Sequence, residues 1–248
     1  MEKHMEQLPF NRTLLIIPTY NEIDNIENMI NKVFNLYPEI SLLIIDDGSP
    51  DGTKEVVKHL QETFPNLKLI ERSGKLGLGT AYSKGFGYAI KEDFDFVVQM
   101  DCDFSHDPKE IRTLLAECQS HDLIIGSRYI DGIRIINWSF RRLLLSYLAS
   151  IYIRVVTGIP VFDTTGGYKC MRTSFLKKLN LDELKSNGYI FQLEINYKAY
   201  SLGKKIKEVP IIFYERTVGV SKMDGNIIFE ALYSVLRLRI LKFLGKLV

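Results

Sequence analysis

Five short apolar runs punctuate the first half of the chain, at residues 14–17, 42–45, 67–70, 94–100 and 123–125, with amphipathic stretches of helical period between them. Near-continuous Leu, Ile and Val, as opposed to strict alternation, predicts strands covered on both faces, and the intervening helices predict a mostly parallel sheet. The expected fold is an open, Rossmann-like α/β sheet with helices on both faces. Ligands in such sheets bind at the carboxyl ends of the strands, so the residues following each apolar run become the candidate site.

Those residues carry chemistry. Pro18, Thr19, Tyr20, Asn21 and Glu22 follow the first run, Asp46, Asp47, Gly48 and Ser49 the second, and Asp101, Cys102 and Asp103 the fourth. Carboxylates gathered at one sheet edge repel one another unless a cation or hydrogen-bond donors offset them. Asp101 and Asp103 flank a single residue at a strand end, where alternation is expected to point both side chains to one side. A hard divalent ion takes oxygen ligands, and Mg²⁺ binds through one or two carboxylates with water and phosphate completing its shell. The pair is a candidate clamp for a diphosphate, though Asp-x-Asp alone is also common in solvated turns.

Composition narrows the class. The 248 residues are 46% hydrophobic and 25% charged, and the 17 Gly and 8 Pro are scattered, which suits one globular domain without linker or repeat. Net charge is +2, but from residue 204 onward nine Lys or Arg against four acids give +5, leaving −3 for the rest. A basic tail after an acidic first half fits a metal and donor site followed by an anion- or membrane-facing surface; ordinary solvated charge is the alternative. Cys102, Cys118 and Cys170 lack metal-ligand spacing and no secretory apolar segment follows Met1, so a reducing, cytoplasmic setting is expected.

Taken in order and spacing, Pro18-Thr-Tyr-Asn-Glu22, Asp46-Asp-Gly-Ser-Pro-Asp-Gly-Thr53, Asp101-Cys-Asp-Phe-Ser-His-Asp-Pro108 and Gly126-Ser-Arg-Tyr129 resemble glycosyltransferase family 2 with its GT-A fold, from Leu14 to about Lys222. Within the family the nearest likeness is to polyprenol-phosphate (dolichyl-phosphate) mannose synthases. The resemblance implies that Pro18, Tyr20, Glu22, Ile45 and Asp47 contact the nucleoside, and that Asp101 and Asp103 hold Mg²⁺ or Mn²⁺ and the donor diphosphate. Cys102 is expected to act through its backbone. Ser105 stands where some relatives place a Gln metal ligand; its shorter hydroxyl is a weaker ligand, with water as its substitute. His106 reads either as a base or ligand, or simply as the residue before the next helix.

Between residues 126 and 157 lie Arg128, Arg134, Arg141, Arg142 and Arg154 against one acid, Asp131. Arginine suits bidentate capture of phosphate, and Arg142 and Ser146, one turn apart, share a helix face. The resemblance implies that Arg128, Arg142 and Ser146 bind a lipid phosphate, with Arg216 and Lys222 joining from a loop over the donor, so that Asp101, Asp103, Arg128 and Arg216 form the catalytic set. Asp163-Thr-Thr-Gly-Gly-Tyr-Lys169 resembles a segment near the transfer site and Phe191-Gln-Leu-Glu194 an acceptor-side helix; Gly166 and Gly167 also read as a plain turn. A phosphate monoester is already anionic near neutral pH, so transfer to it needs no general base, and in-line attack would invert the anomeric centre.

No run of 18 uncharged apolar residues exists, so no spanning helix is expected. Residues 1–223 read as the catalytic domain and 224–248 as a basic amphipathic helix. In that helix Phe229, Leu232, Tyr233, Leu236, Ile240, Phe243 and Leu244 form one stripe, and Arg237, Arg239 and Lys242 lie off it. It can lie in a membrane interface on the cytosolic face, or pack on its own domain or on a partner subunit; spanning helices in many relatives make a membrane-anchoring subunit conceivable. The expected reaction is inverting, metal-dependent transfer of a hexosyl group, mannose from GDP-mannose first, to polyprenyl or dolichyl phosphate. A UDP-sugar or saccharide acceptor is the alternative, which would need Asp163, Asp107 or Glu194 as base; an inactive binding module is the third reading, and no nucleic acid partner is expected.

Overall fold

The structure, a computed structural model, describes residues 8–184, 186, 188–215 and 225–247, with side chains in the last helix from residue 232 onward. The chain alternates strand and helix: β1 (Thr13–Thr19), α1 (Ile23–Leu36), β2 (Ser41–Asp46), α2 (Thr53–Leu60), β3 (Leu67–Glu71), α3 (Leu78–Lys91), β4 (Phe96–Gln99), α4 (Ile111–Cys118) and β5 (Leu123–Ser127). There follow β6 (Ile135–Ile136), α5 (Phe140–Thr157), β7 (Lys169–Arg172), α6 (Thr173–Leu176), α7 (Gly188–Ser201), β8 (Ile206–Pro210), β9 (Phe213–Tyr214) and α8 (Gly225–Phe243). The five expected strands all form, the fourth beginning at Phe96, two residues later than the apolar run.

Seven strands make one sheet in the order β3-β2-β1-β4-β7-β5-β8, parallel except for β7, which runs antiparallel to both its neighbours. β6 and β9 pair as a separate two-stranded ribbon. Because successive strand side chains point to opposite faces, Leu14, Ile16, Leu43, Ile45, Val97 and Ile125 pack with α3 and α7, while Leu15, Ile17, Leu42, Ile44 and Val98 pack with α1 and α4. This double burial is why the strands read as continuous apolar runs. Helix α7 is buried on every side from Phe191 to Ala199, packed between α3 and α8.

α8 both packs and presents a face. Val235 and Leu238 are buried with Leu247, whereas the stripe residues Leu232, Tyr233, Leu236, Ile240, Phe243 and Leu244 are exposed. The stripe therefore does not seat the helix on its own domain; a second apolar edge does. α5 packs beside it, with the Tyr152 hydroxyl donating to the Leu232 carbonyl at 3.3 Å, and it exposes Phe140, Leu144, Leu145, Leu148, Ile151 and Val155. Among the described residues, no helix is long and apolar enough to cross a membrane.

Candidate active site

The loops after β1, β2 and β4 meet at one edge of the sheet. Asp46 ends β2 and is fully buried; its carboxylate accepts from Thr19 Oγ1 (3.0 Å), Ser49 N (2.8 Å) and Ser49 Oγ (2.6 Å), so it pins two loops together. Gly48 makes the intervening turn at φ +71°, with its Cα face so close to Gly74 that an added Cβ would lie 3.1 Å from the Gly74 Cα. Asp47 is buried as well, and Arg72, just past β3, places Nη1 2.9 Å from Asp47 Oδ1. Burial raises the Asp47 carboxyl above its ordinary value, against the opposing pull of Arg72 and of the Leu76 and Gly77 amides.

On the same edge Tyr20 is half-exposed, with Lys75 Nζ 4.6 Å from its ring centre. Glu22 caps the start of α1, and its carboxylate accepts from Asn25. The Ile45 side chain is fully buried beside Gly85 and Ile16. As a nucleoside contact it is therefore limited to its main chain.

The Asp101 to Asp103 segment corrects one expectation. β4 ends at Gln99, a last ladder bond joins Met100 N to Ile16 O, and the chain then curls, with Phe104 at φ +59°. The two aspartates are placed by a turn and its hydrogen bonds, not by strand alternation. Ser105 donates from both its amide (3.1 Å) and its hydroxyl (2.6 Å) to Asp103 Oδ1. It is buried, and both bonds orient the carboxylate beside it. His106 Nδ1 accepts the Asp101 amide at 3.2 Å, and the ring stacks on Tyr168 at 4.8 Å. Burial lowers its pKa to about 4, so the ring is neutral and braces Asp101. The Asp101 side chain is 42% exposed. The buried Cys102 thiol is pushed well above its ordinary value by burial first and then by the charges of Glu22, Asp103 and Asp101.

Among the described residues no set of three His, Cys, Asp or Glu side chains could hold a metal by itself. Two carboxylates, that of Asp103 oriented by Ser105 and that of Asp101 open to solvent, are nonetheless the donor set that suits a hard ion completing its shell with phosphate and water.

The second half of the site is basic but differently arranged from the expectation. Arg128 is buried, its Nε 2.7 Å from Asp163 Oδ2 and its Nη2 2.7 Å from Asp163 Oδ1, with further bonds from Arg128 N to Asp163 and from Nη2 to Thr165 Oγ1. Burial alone would lower the guanidinium pKa and raise that of the carboxyl; the contact reverses both. Asp163 is thus held ionised and engaged, unlike a general base. Glu208 fixes the same loop by accepting from Phe162 N and Asp163 N.

Arg142 stands at the start of α5, 4.0 Å from the Trp138 ring centre, with Nη1 donating to Glu215 at 2.7 Å. Ser146, one turn on, accepts from the Tyr129 hydroxyl at 2.7 Å. The β6–β9 ribbon ties this region to the aspartate turn, since Tyr214 N donates to Ser105 O. Arg128, Arg142 and Ser146 are therefore brought to one region, while Arg216 and Lys222 lie outside the described residues.

Four residues that matter here were not singled out from sequence: Arg72, Lys75, Trp138 and Glu208. Arg72 and Lys75 follow the third apolar run, so the strand-end rule reaches them.

The chain is 42% identical over 229 residues to a polyprenol monophosphomannose synthase of Mycolicibacterium smegmatis, covering 92% of this chain and 86% of that protein. It is 39% identical over 226 residues to an undecaprenyl-phosphate mannosyltransferase of Micrococcus luteus, covering 91% and 93%. Among solved structures, a glucosyl-3-phosphoglycerate synthase from Mycobacterium tuberculosis in complex with Mn²⁺, UDP and glucosyl-3-phosphoglycerate superposes with a TM-score of 0.62 at 17% identity, over 94% of this chain and 79% of that one, a likeness of fold. The description "Glycosyl transferase family 2" matches residues 14–179. With two thirds of its length inside that match and two relatives near 40% identity across nine tenths of it, the chain belongs to glycosyl transferase family 2.

Proposed function

We propose that the protein transfers a mannosyl group, with inversion, from GDP-mannose to the phosphate of a polyprenol at the cytosolic face of a membrane. The observation that carries this reading is the division of one helix between two chemistries. α5 opens with Arg142 and Ser146, Arg142 being linked to the aspartate turn through Glu215 and the neighbouring Tyr214 N to Ser105 O bond, and continues with exposed Leu144, Leu145, Leu148, Ile151 and Val155. A phosphate on a long apolar tail suits both: its head meets a helix N-terminus and an arginine, and its tail meets apolar surface.

Asp101 and Asp103 would hold a divalent ion, Mg²⁺ or Mn²⁺. When bound, it neutralises charge on the departing diphosphate. Asp47, Arg72 and Tyr20 shape the nucleoside side of the cleft, and Ser105 and His106 keep the aspartate turn in place. Arg142 and Ser146 position the acceptor phosphate, with Arg216 and Lys222 assigned to the donor side from sequence. That phosphate arrives ionised, so no residue need remove its proton, and the engagement of Asp163 by Arg128 agrees with this. The exposed faces of α5 and α8 would rest on the membrane, Arg237 and Arg239 meeting anionic headgroups; a membrane-anchoring subunit could use the same face.

Labelled GDP-mannose, UDP-glucose and UDP-GlcNAc should be incubated with polyprenyl phosphate vesicles and extracted into organic solvent. Label should enter the lipid phase from GDP-mannose and stop doing so after EDTA. No transfer from any donor would refute the reading.

A further inference from the structure

We infer that Gln192 is a donor-sugar contact and that Lys169 is the residue that positions it, the sugar lying against the bare face of Gly167. The inference rests on the transferase reading of the cleft. Gln192 lies on the wholly buried helix α7. Its Oε1 accepts from Lys169 Nζ at 2.5 Å and from Gln99 Nε2 at 3.4 Å, and Lys169 Nζ also donates to the Gln192 main-chain carbonyl at 2.9 Å.

A carboxamide has one accepting end and one donating end. With two nitrogen donors converging on the oxygen, the reversed amide would set N–H against N–H, so the chemistry fixes which way Gln192 points. Its Nε2 is turned towards Gly167, 3.6 Å from where a Cβ on that glycine would stand. The same point is 3.8 Å from Asp101 Oδ2 and 3.6 Å from His106 Cε1. Gly167 does not adopt a left-handed conformation, so its backbone does not demand glycine; what the glycine provides is a bare backbone face. That face is bordered by a carboxylate assigned to the diphosphate and by an oriented amide donor, as the sugar next to a diphosphate requires.

Lys169 opens β7 and is fully buried. An apolar side chain would fill the strand position without the cost of burying an amine, yet both hydrogen bonds described for this amine go to Gln192. Besides its charge interaction with Asp163, its task is to hold that amide. A fixed buried donor discriminates strongly between sugars that do and do not offer a hydroxyl to it, because the unmatched donor is left unpaired.

The test uses the full chain with Mg²⁺ and two calorimetric titrations per variant: the donor the wild type uses, and its nucleoside diphosphate alone. Gln192→Glu keeps an acceptor for Lys169 and replaces the amide donor with a carboxyl oxygen. Gly167→Ala adds a methyl that meets nothing closer than 3.6 Å, so it folds but covers the proposed face. Both should weaken the nucleotide-sugar roughly tenfold or more while leaving the diphosphate within about twofold. Lys169→Met should shift the same ratio without lowering the melting temperature, and Lys169→Arg should restore part of it. Equal losses for both ligands, or an unchanged ratio in an active wild-type background, would overturn the assignment alone. A wild type that transfers sugar from none of the three donors would overturn it together with the transferase reading.

Discussion

Arg128 grips Asp163 with its fork, Nε to Oδ2 and Nη2 to Oδ1 at 2.7 Å each, where both side chains are buried. Removing one partner of such a pair leaves an uncompensated charge, which costs about 3–5 kcal/mol. Asp163→Ala should therefore lower stability by that order in urea unfolding, and adding Arg128→Met should recover much of it. A single variant that unfolds at the wild-type urea concentration would show that the pair is not structural.

Asp103→Asn should reduce metal-dependent turnover on the order of a hundredfold, and Ser105→Ala by about tenfold, since the serine orients the aspartate. Turnover across a Mg²⁺ and Mn²⁺ titration separates the two roles. Equal losses would assign Ser105 as a ligand; an unchanged Asp103→Asn would remove the metal role of the turn.

Burial holds the Lys169 pKa well below 10.5, with Asp163 opposing that shift. The folded protein thus binds fewer protons than the unfolded chain below pH 10.5, so this residue's contribution to stability rises with pH up to that value. Compared with Lys169→Met, the wild type should be no more stable at pH 7 and should gain on the variant by pH 9.5. Urea midpoints of both proteins at the two pH values check this, and a gap that narrows in the opposite sense would contradict it.

The exposed faces of α5 and α8 should bind anionic vesicles. Leu148→Glu with Phe243→Glu should release the protein in flotation assays, each substitution weakening binding by on the order of 2 kcal/mol, while soluble-donor binding stays intact. Unchanged flotation would assign the face to another partner.

The sheet was legible because strands buried on both faces leave a signal that needs no knowledge of partners. β7 and β8 were not: Lys169-Cys-Met-Arg172 mixes charge with apolar residues, and Ile206-Lys-Glu-Val-Pro210 is an edge strand ending in proline. The aspartate turn was legible by position, but its geometry was not, because it depends on the bend at Phe104 and on Ser105 and His106. The Arg72–Asp47, Arg128–Asp163 and Lys169–Gln192 pairs join residues 23 or more apart, and only the folded arrangement of strands matches such partners.

The reversed direction of β7 has a further reach. In a sheet whose strands all run one way, the rim at the ligand edge is stocked only by segments that leave a strand, and each needs a crossover helix to return. A strand inserted upside down delivers its entrance to that rim instead, so residues 163–168 arrive from the opposite direction, between neighbours already anchored by β4 and β5. Changes of length or composition in that approach segment can therefore reshape the pocket's inner wall while the registry of every parallel pair stays as it is.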